Sequence, residues 1–252
     1  MYIPNIKKIR VETGWDIDYY EEKGEWKKLE YKNQATIPKD DNLLNKLGLR
    51  EGERVLCIAA FFADWAKGLR DGGLIVDYNE VSREILDYVK ARMNFNEFIL
   101  SDYVYVPRKK DYYDWTFSFE PVGAKAGLPI AILRSLLNKK GCKLVIFPRL
   151  KGGKPVGKKT ENFPKILHTF TKVYGVETKI EDVFISSHKI GGKNIQSNHR
   201  VFTIFTDENA KKLAEKDLEV LFNNEKGNRE VLQRLQALGS LLKEEYRKML
   251  NH

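Results

Sequence analysis

The chain carries 44 Lys and Arg against 35 Asp and Glu over 252 residues, a formal net charge of +9, and 42% of its residues are hydrophobic. That apolar share excludes wholesale disorder, and the length suits one large domain or a domain with an appendage. No apolar run approaches the roughly 18 residues that cross a bilayer, residues 1–10 hold no signal-peptide pattern, and Cys57 and Cys142 are too few for a disulfide framework or a four-cysteine zinc site. A cytoplasmic location is therefore expected, and the positive balance suits an anionic partner or solubility alone.

In residues 1–39, Trp15, Tyr19, Tyr20, Trp26 and Tyr31 interleave with charges, and Gly14 and Gly24 punctuate them. This predicts a cap segment of short strands or turns. From Asp40 the pattern becomes regular. Asp40 or Asp41 can cap a short helix over Asn42–Leu47 that Gly48 ends. A buried strand over Arg54–Ala60 precedes a helix with Trp65, Ala66 and Leu69 on one face. A strand over Leu74–Asp77, a helix over Ser82–Met93, and strands over Phe98–Asp102 and Trp115–Phe119 follow. A helix through Ile130–Leu137 then leads to a fifth strand over Cys142–Phe147. Strands of about five residues alternating with helices of about ten predict a parallel sheet covered on both faces.

After a helix near Asn162–Tyr174, strands over Val183–Ser187 and Arg200–Thr206 are joined by a linker too short for a helical crossover. They should form an antiparallel hairpin at one end of the sheet. Asp207 and Asn228 can cap two closing helices, running to Phe222 and Leu250. In the last, Val231, Leu235, Leu238, Leu242 and Met249 form an apolar stripe suited to packing within the chain, or to a homodimer or protein partner. The expected division is a cap at 1–39, an α/β domain at 40–206 and a helical extension at 207–252.

The succession of strands, and the phrase Leu44-Asn45-Lys46-Leu47-Gly48-Leu49-Arg50-Glu51-Gly52-Glu53-Arg54-Val55-Leu56, resemble the class I S-adenosylmethionine-dependent methyltransferase family over roughly Asp40 to Thr206. The resemblance implies a Rossmann-like sheet of seven mostly parallel strands with a C-terminal antiparallel hairpin. It also implies an S-adenosylmethionine cofactor across the carboxyl ends of the first strands. In such a site a glycine-rich turn meets the methionine end, an acid ending the second strand accepts the ribose hydroxyls, and a polar residue ending the third holds the adenine amino group. The matching positions here are Cys57, Ala59, Ala60 and Phe61 in the turn, Asp77 for the ribose and Asp102 for the adenine, with Tyr78 and Tyr103 beside the ring. The turn departs from the family pattern: Cys57 replaces its acid, and Ala59, Phe61 and Ala63 replace its glycines. Glu120, after the fourth strand, is the candidate general base. The Asp/Asn-Pro-Pro-aromatic pattern of amino-group methylation is absent, as is a cysteine placed for pyrimidine C5 chemistry.

Two basic stretches complete the picture. One follows the fifth strand, with Lys151, Lys154, Lys158 and Lys159. The other is the hairpin linker, with Lys189, Lys193 and, beyond it, Arg200. Such cations can follow a phosphate backbone, as RNA would require, or be merely solvated. No third ligand joins His188 and His199, so no metal site is expected. The expected function is an S-adenosylmethionine-dependent methyltransferase acting on RNA or another anionic macromolecule. The alternative is a catalytically inactive domain of the same fold that binds nucleic acid or a protein partner.

Overall fold

Continuous apolar runs separated by amphipathic helices dictate a sheet buried on both faces. The computed structural model of the chain describes residues 6–10, 16–22, 25–28, 42–58, 60, 63–81, 83–101, 103, 106, 109–119, 127–146, 150–151, 154–155, 158–190 and 193–223. In chain order the elements are β1 (Ile6–Arg10), β2 (Asp16–Glu22), β3 (Glu25–Lys28), α1 (Leu43–Lys46), β4 (Arg54–Cys57), α2 (Asp64–Asp71), β5 (Ile75–Glu80), α3 (Arg83–Lys90), β6 (Glu97–Leu100), β7 (Trp115–Phe119), α4 (Gly127–Ser135) and β8 (Gly141–Ile146). The short strands β9 (Leu150–Lys151) and β10 (Lys154–Pro155) follow, then α5 (Lys158–Tyr174), β11 (Thr178–Ile190), β12 (Lys193–Phe205) and α6 (Glu208–Asn223).

Strands β1 to β3 form a three-stranded antiparallel sheet of their own, in keeping with the glycine punctuation of that segment. The main sheet has seven strands in the order β11-β12-β8-β7-β4-β5-β6. Strands β4 to β8 are mutually parallel, while β12 lies antiparallel between β8 and β11. One face packs Val55, Val76, Phe117 and Val145 against Leu69, Ile85 and Val89 of α2 and α3. The other packs Leu144, Phe202 and Ile204 against Leu133, Phe170 and Ala214 of α4, α5 and α6.

Several expectations need correction. The second strand runs past Asp77 to Glu80, and the third ends at Leu100. The linker over Ser187–His199 is largely strand: β11 and β12 are 13 residues each, with an irregularity between Ser186 and Lys189. Gly191-Gly192, a two-residue hairpin signal between Ile190 and Lys193, is what permits that length. Asp207 caps α6 through the Ala210 N–H, 2.7 Å from Oδ1. Asp40, Asp41 and the last expected helix, Asn228 to Leu250, lie outside the described residues.

Two residues fix the middle of the sheet. Gly141 opens β8 at φ +125, and a Cβ there would run into the Ile204 carbonyl of β12. Lys143, two residues on, is 4% exposed. Its Nζ lies 4.4 Å from the Trp115 ring centroid and donates to Thr203 Oγ1 at 3.3 Å. Burial, only partly offset by nearby carboxylates such as Glu181 and Glu53, pushes this ammonium down to about 8 from 10.5.

Because the unfolded chain binds the extra proton between those values, the Lys143 penalty is complete below pH 8 and fades as pH rises toward 10.5. Lys143→Met is expected to raise stability at pH 7 by about 1–3 kcal/mol, with the gain shrinking above pH 8; urea unfolding across that pH range measures it. Gly141→Ala is expected to cost roughly 3 kcal/mol or more in the same assay, through backbone clash and a disfavoured φ.

Candidate active site

The sheet order reverses at β4, whose neighbours are β5 on one side and β7 on the other. Beyond the carboxyl ends of strands at such a switch point, open α/β sheets bind ligands. Register sets the heights: Cys57 pairs with Tyr78, Asp77 with Glu97, and Glu80 with Leu100.

Asp77 is thus not at the strand end. It lies opposite the first residue of β6, about 10 Å below the end of β5 at ~3.3 Å per residue. Fully buried, its carboxylate accepts hydrogen bonds from Arg54 Nε (3.3 Å) and Nη2 (3.1 Å) and from Asn96 Nδ2 (2.5 Å). Tyr113 also bonds to it, and burial with the Asp77 charge pushes that phenol far above its ordinary range. Arg54 in turn lies 4.2 Å from the Tyr112 ring centroid. A carboxylate held this way is structural. Tyr78 is likewise a core residue, stacked on Phe95 at 5.4 Å and 11° and edge-on to Phe98, and so is unavailable to flank an adenine.

Glu80 takes the strand-end position and was missed by sequence reasoning. It is 4% exposed, and its Oε1 accepts the Val81 N–H at 2.8 Å. Asn79 beside it donates to the carbonyls of Ile99 (3.2 Å) and Ser101 (2.7 Å), tying the ends of β5 and β6 together. The available signal was the position of Glu80 directly before the α3 helix signal, with apolar Val76 and Tyr78 alternating with polar Asp77 and Asn79 inside the strand.

The turn after β4 contains no glycine. The Ile58 N–H extends the pairing to the Phe117 carbonyl (3.0 Å), and Ser118 Oγ donates to the Ile58 carbonyl (3.2 Å). The Ala63 N–H closes on the Ala60 carbonyl at 2.8 Å, with Ala63 buried and left-handed at φ 63 and ψ 17 immediately before α2. An alanine there costs on the order of 1–2 kcal/mol. Cys57 is buried, and desolvation followed by the Asp77 charge pushes its thiol up, so it supplies no acid in this turn. Tyr103 is half-buried against the cluster of Leu56, Ile58, Val106 and Tyr113. Ala59, Phe61, Asp102 and Glu120 lie outside the described residues.

On the other side of the switch point, Trp65 of α2 stacks on Phe119 at the end of β7 (4.5 Å, 18°) and meets His199 of β12 edge-on at 5.2 Å. Lys151 and Lys154 fall in β9 and β10, Lys158 and Lys159 open α5, and Lys189 and Lys193 occupy the last rungs of the β11–β12 hairpin. Arg200 does not join them. It pairs with Asp182 across the strands at 2.8 and 3.0 Å, which raises the guanidinium and lowers the carboxyl from their ordinary values. Among the described residues no His, Cys, Asp and Glu cluster could hold a metal, and no helix is long and apolar enough to cross a membrane.

Sheet order, strand directions and helix layers define an α/β, methyltransferase-like fold. A solved structure concerned with conversion of a disulfide bond into a thioacetal group during echinomycin biosynthesis superposes with a TM-score of 0.50 at 10% identity, over 74% of this chain and 88% of that one. The magnesium protoporphyrin IX methyltransferase of Synechocystis, solved with bound S-adenosylmethionine, gives 0.43 at 13% identity, over 66% and 76%. Precorrin-6y C5,15-methyltransferase of Geobacter metallireducens gives 0.45 at 13%, over 71% and 96%. These likenesses are of fold, and no family model or curated protein matches the chain in sequence.

Ala63→Gly is expected to stay within about 1 kcal/mol of the native stability, relief of strain offsetting the lost methyl contact. Ala63→Val should lose at least about 2 kcal/mol, because a β-branched residue tolerates positive φ worst. Thermal melts of the two variants test this.

Proposed function

We infer that the chain is an S-adenosylmethionine-dependent methyltransferase acting on RNA or another anionic macromolecule. One observation carries the first half: a buried carboxylate, Glu80, ends β5 beside β4, and the turn leaving β4 ends in a left-handed Ala63, the conformation glycine supplies where a backbone approaches a ligand closely. Conformational strain persists where the surrounding structure enforces it, most often at binding sites.

In this reading Glu80 accepts the ribose hydroxyls, and the N–H groups at the start of α2 face the methionine carboxylate. Tyr103 and Asp102, after β6, border the adenine. S-adenosylmethionine supplies an electrophilic methyl group when bound. The chain then contributes alignment, which by itself accounts for much of the acceleration of a displacement. Glu120, directly after Phe119 at the end of β7, is the candidate acceptor of a substrate proton. The substrate half of the reading rests on the basic stretches beyond β8 and at the hairpin tip.

Calorimetric titration with S-adenosylhomocysteine tests the assignment. Native protein is expected to bind, and Glu80→Gln to remain folded but bind at least roughly tenfold more weakly, since it removes a charge-assisted hydrogen-bond acceptor. Asp77→Asn should show the reverse: about 3 kcal/mol less stability from a broken buried pair, with affinity of the folded fraction retained. Equal binding by native and Glu80→Gln protein would refute the ribose role.

A further inference from the structure

Acids are unevenly distributed along the connections of the main sheet. Those leaving β4, β5 and β6 mix acids, among them Asp64, Glu84, Asp87 and Asp102, with cations such as Lys67, Arg70, Arg83, Lys90 and Arg92, and Glu80 ends β5. Beyond Glu120, which directly follows β7, acids are missing from two long stretches: no Asp or Glu occurs between Glu120 and Glu161, or between Asp182 and Asp207. The first of these stretches includes the chain leaving β7 and that leaving β8, with β9 and β10. The second includes the distal part of the β11–β12 hairpin.

Register shows where that hairpin goes. Strand β12 pairs with β8 only from Arg200 to Phe205, and Arg200 stands opposite Ile146, the last residue of β8. Residues Lys193–His199 therefore run past the carboxyl end of β8, paired with β11 alone, as an arm overhanging by about 23 Å at ~3.3 Å per residue. The Asp182–Arg200 pair sits at its base. Beyond it stand Lys189 and Lys193 among serine, asparagine and glutamine, residues that donate hydrogen bonds without adding negative charge. Because β8 and β12 are neighbours, this arm and the chain that leaves β8 toward β9 and β10 start from the same end of the sheet.

Aromatic content separates two kinds of polyanion. Single strands are held by stacking their bases on aromatic side chains. A duplex hides its base faces and offers phosphates, sugar hydroxyls and shape. No Phe, Tyr or Trp occurs from Pro148 to Asn162 or from Ile185 to Val201. We propose that the β11–β12 arm and the β9–β10 turn grip the phosphate backbone of a double-helical nucleic acid and hold it against the carboxyl edge. What happens to the nucleic acid there rests on the methyltransferase reading; the grip itself does not.

Fluorescence anisotropy of the full chain over a salt series tests the proposal, with an RNA stem–loop, a DNA duplex, single-stranded poly-uridine and poly-glutamate as probes. The duplex probes should bind at least roughly tenfold more tightly than poly-uridine or poly-glutamate. Lys189→Ala combined with Lys193→Ala should flatten the duplex salt slope by about 1 to 2, close to 0.9 per lost phosphate contact. Replacing Ser187–Ile195 with an Asn-Gly turn, which joins the paired Ser186 and Gln196, should lower duplex affinity at least as far. Equal binding of RNA and DNA duplexes would identify a shared backbone readout, and preference for RNA a readout that includes the 2′-hydroxyl; both support the grip. An unchanged slope in the double variant overturns it, as does a preference for single strands or equal capture of poly-glutamate. S-adenosylhomocysteine titration of the same samples separates the two claims. Cofactor binding without duplex binding refutes the arm alone, and duplex binding without cofactor binding refutes the methyltransferase alone.

Discussion

A carboxylate with no exposed surface must find donors inside the protein, and Asp77 draws them from three separate stretches of chain: Arg54 opening β4, Asn96 just before β6, and Tyr113 just before β7. These contacts align the starts of four neighbouring strands, β4 to β7. Between β6 and β7, Val106, Tyr103 and Tyr113 pack against Leu56 and Ile58 on the sheet side. Asp77 and Asn79 of β5 share one strand face and are hydrogen-bonded there. With its lower end fixed, β5 delivers Glu80 to the opposite end at a defined height.

At that upper end the same economy holds. The turn from β4 to α2 has no glycine between Cys57 and Lys67, yet Ala63 adopts the left-handed conformation, held by its N–H bond to Ala60 and by complete burial of its side chain. Backbone path, not residue type, is what a closely approaching ligand needs. Ser118, Phe117 and Trp65 hold the described residues on either side of that turn.

The architecture was legible because it depends on coarse features. Alternating apolar runs and amphipathic helices gave the crossover order, and the short connection before Arg200 gave the antiparallel hairpin. The site was less legible, and for one reason. In Ile75-Val76-Asp77-Tyr78-Asn79-Glu80 the first acid looks like a strand terminus, because a buried carboxylate inside a parallel strand is improbable unless its donors are known. Those donors lie 19 to 36 residues away in sequence, at Asn96, Arg54 and Tyr113, and no local pattern announces them. Arg200 failed similarly: its cross-strand partner Asp182 becomes visible only once the hairpin register is known.

The position of β12 also governs the order in which the molecule can be completed. Strand β8 has one edge covered by β7, and its other edge is covered only by β12, which ends at Phe205. During synthesis, β4 to β8 can assemble as a five-stranded half-sheet with an open, apolar edge at β8 well before β12 leaves the ribosome. Such edges invite pairing with other chains. The β11–β12 hairpin is a local structure with a two-residue turn, so it can form first and dock as a unit, sealing that edge in a single late step.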